Sequence, residues 1–174
     1  MILINMILLS PYQCLTLSKS SKPEGLDTSS LHCLITVGGS MPKSLVNDLR
    51  DALPGTYISQ IYGQTELCGA ITRFETRKVD DRLLLHYKHN SVGRAMPGFW
   101  YKRSETKQIF QVVDTVTEKI VGPNEPGELR IKSGCVMNGY LNRDSSEAFD
   151  QSGWLRTGDV VYYDEFQCFT SWTE

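Results

Sequence analysis

The stretch Leu31–Tyr62 narrows the possible folds more than any other part of the chain. LHCLITV is an apolar, strand-like run that ends in Gly38-Gly39-Ser40. PKSLVNDLRDAL follows, with Leu45, Val46, Leu49 and Leu53 recurring at helical spacing to give one apolar face. Pro42 suits a first helical turn, and Ser40 is the expected cap before it. Pro54-Gly55 stops the helix, and TYISQIY reads as a second strand from its β-branched and aromatic residues. Strand, helix, strand in this order predicts two parallel strands joined by a right-handed crossover. Gly38-Gly39-Ser40 and the segment from Tyr62 to Glu66 then leave the carboxyl ends of their strands, where open α/β sheets bind ligands.

The texture changes near residue 91. Helical periodicity fades, and short strands with turn signals take over: FQVVDTVTEKIV with a bend near Asp114 and Thr115, then ELRIKS, then a strand pair expected around Thr157-Gly158-Asp159. The fold class expected is therefore α/β, with residues 1–90 an α/β portion and residues 91–174 a mostly antiparallel, barrel-like β subdomain. The boundary is expected in the charged stretch Glu75–Asn90, whose HYKH run, His86 to His89, reads as a polar loop, as does Ser18–Ser30. The apolar start MILINMILL is too short to span a bilayer, which takes about 20 residues, and it lacks the pattern of a signal peptide. It reads as a core segment.

Composition excludes some classes. Lys and Arg total 18 against 20 Asp and Glu, a formal net charge of −2, which speaks against a nucleic-acid binder. Five cysteines, far apart and without a Cys-x-x-Cys, fit neither a disulfide framework nor a zinc site, so a reducing, intracellular compartment is expected. No transmembrane segment is expected, and nothing in the sequence addresses oligomeric state.

Two short motifs carry chemistry. In YGQTE, Tyr62 offers a flat face suited to stacking on a purine, and Gly63 lets another backbone or a ligand come close. Thr65 offers a hydroxyl to a phosphate oxygen. Glu66 cannot face a phosphate without an intervening cation, for which magnesium is the natural choice. Alone, these residues also suit a strand end with a polar turn. In GWLRTGD, Asp159 follows a tight Thr-Gly pair, and one carboxylate can accept hydrogen bonds from both hydroxyls of a ribose. An Asp capping its own hairpin is the plain alternative.

Taken together, ITVGGSMP, YGQTE, SVGRAMPG, GELRIKSG, NGYLN, GWLRTGD and YYDE, in that order, resemble the adenylate-forming enzymes, most closely the insect luciferase-like acyl-CoA synthetases and the 4-coumarate–CoA ligases. The resemblance implies part of a large N-terminal domain that handles ATP or AMP, magnesium and coenzyme A. Its reaction would convert a carboxylic acid to an acyl-adenylate and then to a thioester, as in fatty-acid metabolism. It places Tyr62 and Gly63 at the adenine, Thr65 at the α-phosphate, Glu66 at magnesium and Asp159 at the ribose. Gly38, Gly39 and Ser40 would lie against adenine and acyl group, and Val92, Gly93 and Arg94 would border the acyl pocket. Thr65 and Glu66 are thus the candidate catalytic groups. A cytoplasmic or peroxisomal setting follows from the same resemblance.

The sequence departs from that pattern in three places. The family's Ser/Thr/Gly-rich phosphate loop ending in Lys is not seen, because no glycine precedes Lys22 in Leu17–Gly25 and that segment directly precedes the Leu31 strand. After YYDE the sequence reads FQCFTSWTE, in place of the family's hinge and Lys-bearing C-terminal domain. RSETKQIFQ, Arg103 to Gln111, reads as an insertion. The chain is therefore expected to be a fragment, inactive alone. A non-catalytic nucleotide-binding or structural remnant and a luciferin monooxygenase-like fragment are the alternatives.

Overall fold

The computed structural model describes residues 4–96 and 110–171. It divides into two compact units, one formed by Met1–Tyr62 with Arg73–Gly93, the other by Gly63–Thr72 with Arg94–Glu174.

The first unit begins with β1 (Met6–Leu9), α1 (Pro11–Lys19), β2 (Cys33–Thr36), α2 (Lys43–Ala52) and β3 (Tyr57–Gln60). The strands form one parallel sheet in the order β1-β2-β3, with Met6 beside Cys33 and Cys33 beside Tyr57. The expected parallel pair is present and gains a third strand from the apolar N-terminus. Only one face of that strand is covered, because side chains alternate along it: Ile7 and Leu9 pack on the core, while Met6 and Leu8 are exposed. The core joins Cys14 of α1, Leu34 of β2, Ile58 of β3 and the predicted α2 face of Leu45, Val46, Leu49 and Leu53.

Ser40 is not the cap of α2. The cap is Pro42, in extended conformation and without a side-chain bond. The approach to the helix is fixed elsewhere, by the buried Gln60, whose Oε1 accepts the Met41 N–H at 3.0 Å while its Nε2 donates to the His89 carbonyl at 2.9 Å. α1 covers Ser18 and Lys19, which composition alone assigns to a loop. Its start is a capping box: Gln13 N–H donates to Ser10 Oγ and Ser10 N–H to Gln13 Oε1.

The second unit takes in β4 (Tyr62–Gln64), a 3-10 turn over Thr65–Leu67, and β5 (Gly69–Arg73). The chain then returns to the first unit for α3 (Val79–Tyr87). This helix occupies much of the expected boundary stretch and takes in His86 and Tyr87 of the run expected to be a loop. Asp81 organises its start by accepting the Glu75 N–H at 2.7 Å. Then come β6 (Ser91–Ala95), β7 (Phe110–Val113), β8 (Gly127–Ile131), β9 (Leu155–Tyr163) and β10 (Phe169–Ser171).

These strands form a seven-stranded sheet in the order β4-β5-β6-β10-β9-β8-β7, antiparallel from β10 to β7. The sheet is mixed with helices as expected, but it is open: among the described residues no ladder joins β4 to β7 to close a barrel. Residues 103–109 of the expected insertion lie outside the described residues. Phe110 and Gln111, its last two, are strand residues opposite Ile131 and Arg130. The unfamiliar tail also belongs to the sheet, with Phe169 opposite Tyr163 and both Cys168 and Phe169 buried.

All five cysteines are free thiols, with Cys14, Cys33 and Cys168 buried and Cys68 and Cys135 exposed. Burial pushes the Cys33 thiol up to about 11 and also raises Cys14. Thiolate is the reactive form, so iodoacetamide is expected to label Cys68 and Cys135 quickly and the other three only on unfolding. Fast labelling of Cys33 by peptide mass mapping would contradict this packing.

Candidate functional site

In the first unit, β2 and β3 are parallel neighbours, and Ile61 N–H donates to the Thr36 carbonyl at 3.0 Å. Gly38-Gly39-Ser40 and Tyr62 therefore leave the same carboxyl edge, as the strand order predicts. Gly38, Gly39 and Ser40 are exposed, and Gly38 has φ +91, a conformation that suits glycine. Tyr62 is half-buried. In the same unit Gly93 is buried at φ +87, where an added Cβ would fall on the Arg73 carbonyl group and within 2.5 Å of Phe74 N. Val92 beside it and Arg94, which begins a stretch of the second unit, are half-buried.

In the second unit, Thr157-Gly158-Asp159 is not a hairpin. It lies inside the single strand β9, as a bulge. Glu128 pairs with Val160 and Arg130 with Arg156, so two residues advance on β8 while four advance on β9. Gly158 takes up the extra length at φ +73. The Thr157 hydroxyl donates to the Leu129 carbonyl at 2.6 Å and accepts the Asp159 N–H at 3.2 Å. A bulge re-aims the side chain that follows it. Here that side chain meets Gln64 of β4: Gln64 Nε2 donates to Asp159 Oδ2 at 2.7 Å and to the Thr157 carbonyl at 3.0 Å. Three strands stand between β4 and β9 in the sheet order, counting β5, β6 and β10. The fold thus brings Gln64 of β4 to Asp159 of β9 across three intervening strands of the open sheet.

Gln64 leads into the turn that carries the other two polar groups. Thr65 is exposed, and its hydroxyl is engaged by no described residue. Glu66 is half-buried. Its Oε1 accepts the Tyr140 hydroxyl at 2.8 Å, and its carbonyl accepts the Met137 N–H at 2.8 Å. The hydrogen bond to Glu66 holds the Tyr140 phenol above its ordinary pKa. A carboxylate with one oxygen tied to a phenol, an exposed hydroxyl one residue away and a second carboxylate re-aimed by a bulge suit a ligand with both phosphate and diol groups.

Comparison with known proteins identifies the family. The model of the AMP-binding enzyme family matches residues 3–141. The chain belongs to that family. Peroxisomal OPC-8:0-CoA ligase 1 of Arabidopsis thaliana is 31% identical over 141 residues, 80% of this chain and 23% of the ligase. The luciferase-like enzyme of the nonluminescent mealworm Zophobas morio superposes at TM-score 0.83 with 32% identity, over 98% of this chain and 38% of that one. O-succinylbenzoate coenzyme A synthetase of Bacillus subtilis, solved with ATP and magnesium ion, superposes at TM-score 0.68 with 26% identity, over 97% of this chain and 31% of the synthetase. The mixed α/β architecture is thus that of the N-terminal domain of adenylate-forming enzymes, and the chain is partial. It spans about a quarter of the length of the curated relatives it matches.

Within this AMP-binding domain, sequence reasoning singles out Thr65, Glu66 and Asp159 but misses Gln64 and Tyr140, which hydrogen-bond to Asp159 and Glu66. Gln64 and Tyr140 sit inside quoted motifs, and their roles depend on contacts 95 and 74 residues away in sequence. Gln60 is equally hidden. A buried amide two residues before Tyr62 is the available signal, since a buried side-chain amide must find partners.

Proposed function

We propose that this chain is the nucleotide-handling portion of an acyl-CoA synthetase-type enzyme, which joins a carboxylic acid to AMP from ATP and then passes the acyl group to the thiol of coenzyme A. The observation that carries the reading is the Gln64–Asp159 hydrogen bond, which ties the Asp159 carboxylate to the residue just before Thr65 and Glu66.

In this reading Tyr62 and Gly63 take the adenine, with Gly38, Gly39 and Ser40 against adenine and acyl group. Asp159 holds the ribose diol and Thr65 the α-phosphate. Val92, Gly93 and Arg94 border the acyl group. Glu66 fits magnesium: that ion uses one or two carboxylates alongside substrate phosphates and water, and Glu66 has an oxygen beyond the one Tyr140 holds. Bound there, magnesium would neutralise phosphate charge as the acid attacks. Free thiols on the surface accord with a reducing cytoplasmic or peroxisomal setting.

Because the chain matches about a quarter of a ligase, the 174 residues are proposed to bind nucleotide without turning it over. Calorimetry with AMP is expected to show weak binding that falls roughly tenfold or more in Asp159→Ala, since even one hydrogen bond to a charged group is worth about 1.5–3 kcal/mol. Equal heats for both proteins would remove the ribose assignment. The purified chain is expected to show no ATP–pyrophosphate exchange with mixed fatty and aromatic acids, and sustained exchange would refute the non-catalytic half of the proposal.

A further inference from the structure

The NGYLN motif carries no ligand contact in the reading above, yet its segment reaches the Glu66 turn twice. Tyr140 Oη donates to Glu66 Oε1 at 2.8 Å, and Met137 N–H, three residues earlier, donates to the Glu66 carbonyl at 2.8 Å. The segment is also fastened internally, because Tyr140 N–H donates to Ser145 Oγ at 2.7 Å. Two of these bonds fix where the Glu66 backbone and the Tyr140 backbone sit. The third acts on the carboxylate alone.

That third bond is not needed for packing. Tyr140 is 47% exposed, so its ring contributes little to a core, and its phenol would be satisfied by water if Glu66 turned away. A half-buried carboxylate on a three-residue turn has several rotamers, and a single hydrogen bond from a fixed donor selects among them. Partners of this kind behind a metal-binding group commonly change metal affinity about tenfold or more.

We propose that Tyr140 is a positioning residue for Glu66: by holding one carboxylate oxygen it sets which oxygen is offered to a divalent cation travelling with the nucleotide. The inference rests on the nucleotide-binding reading above. It identifies the 137–145 segment as the cation-side support of the site, distinct from the Gln64–Asp159 pair that supports the diol side.

The test is calorimetry on the full 174-residue chain, with ATP plus and minus magnesium and with AMP in the absence of metal. Tyr140→Phe, which removes only the hydroxyl, is expected to weaken magnesium-dependent ATP binding about tenfold while leaving metal-free AMP binding and the thermal midpoint unchanged. Glu66→Gln is expected to lose the magnesium dependence altogether. If Glu66→Gln loses it and Tyr140→Phe keeps it, the positioning role is overturned while the nucleotide reading survives. An equal loss of AMP and magnesium–ATP binding in Tyr140→Phe would show a general structural role and overturn the proposal in the same way. A wild-type chain that binds neither nucleotide overturns both.

Discussion

Gly63→Ala is expected to abolish nucleotide binding and to destabilise the chain by at least about 3 kcal/mol, the upper part of the range for overpacking. The reason is the close approach of two backbones. A Cβ on Gly63 would fall on the Gly69 carbonyl oxygen and lie 2.6 Å from Ala70 Cα. Both obstacles are main chain, so no rotamer change relieves them, and β4 must move away from the following strand. A glycine inside a strand commonly marks such an approach.

The same displacement reaches the site, because Gln64 is the next residue and Thr65 and Glu66 follow it. Urea unfolding and AMP calorimetry on the variant should therefore fail together. A variant with wild-type stability and lost AMP binding would trace the loss to the proposed adenine contact of Gly63 alone and not to displacement of β4. Wild-type behaviour in both would show that β4 can shift at little cost.

What the sequence makes legible follows from physical range. The β2-α2-β3 unit is readable because α2 carries an unbroken apolar face, β2 lies in an apolar run and β3 in a segment rich in β-branched and aromatic residues. α1 is not, because only Cys14 of it is buried; its signal is the Ser-x-x-Gln capping box. α3 escapes for a similar reason, burying Asp81 and Leu85 while Val79, Leu83 and Tyr87 stay exposed. Thr157-Gly158 carries a turn signal that the structure spends on a bulge within one strand, a distinction that depends on the β8 register and cannot be read from β9 alone. The candidate ligand groups Thr65, Glu66 and Asp159 are legible because their residue types state their chemistry. Their hydrogen-bond partners, Gln64 and Tyr140, are not, since a glutamine or tyrosine meets such a partner only where the fold brings the two together.

The β8–β9 register also rests on a buried charge cluster, which sets the other large effect. Arg130, with its side chain 5% exposed, meets a different carboxylate with each guanidinium nitrogen: Glu118 at 2.6 Å, Glu128 at 3.0 Å and Asp150 at 3.4 Å. Burial pulls its pKa down, but the hydrogen bonds to Glu118 and Glu128 hold it above the ordinary value. Its neighbour across the ladder is Arg156, a like charge that is tolerable because Glu118 and Glu128 are shared between the two.

Arg130→Ala leaves Glu128 and Asp150 largely buried with only Arg156 to answer Glu128, and breaking a buried pair in this way costs about 3–5 kcal/mol. Arg130→Lys should recover little, since a point charge cannot serve three carboxylates from one position. The consequence extends to binding. Arg130–Arg156 is the pair that closes one side of the Thr157–Asp159 bulge, so loosening it releases the aim of Asp159 towards Gln64. AMP affinity should fall in Arg130→Ala even at temperatures where the variant remains folded. A loss of under about 1 kcal/mol in urea unfolding would place the cluster among the weak surface ion pairs and remove its claim to hold the bulge.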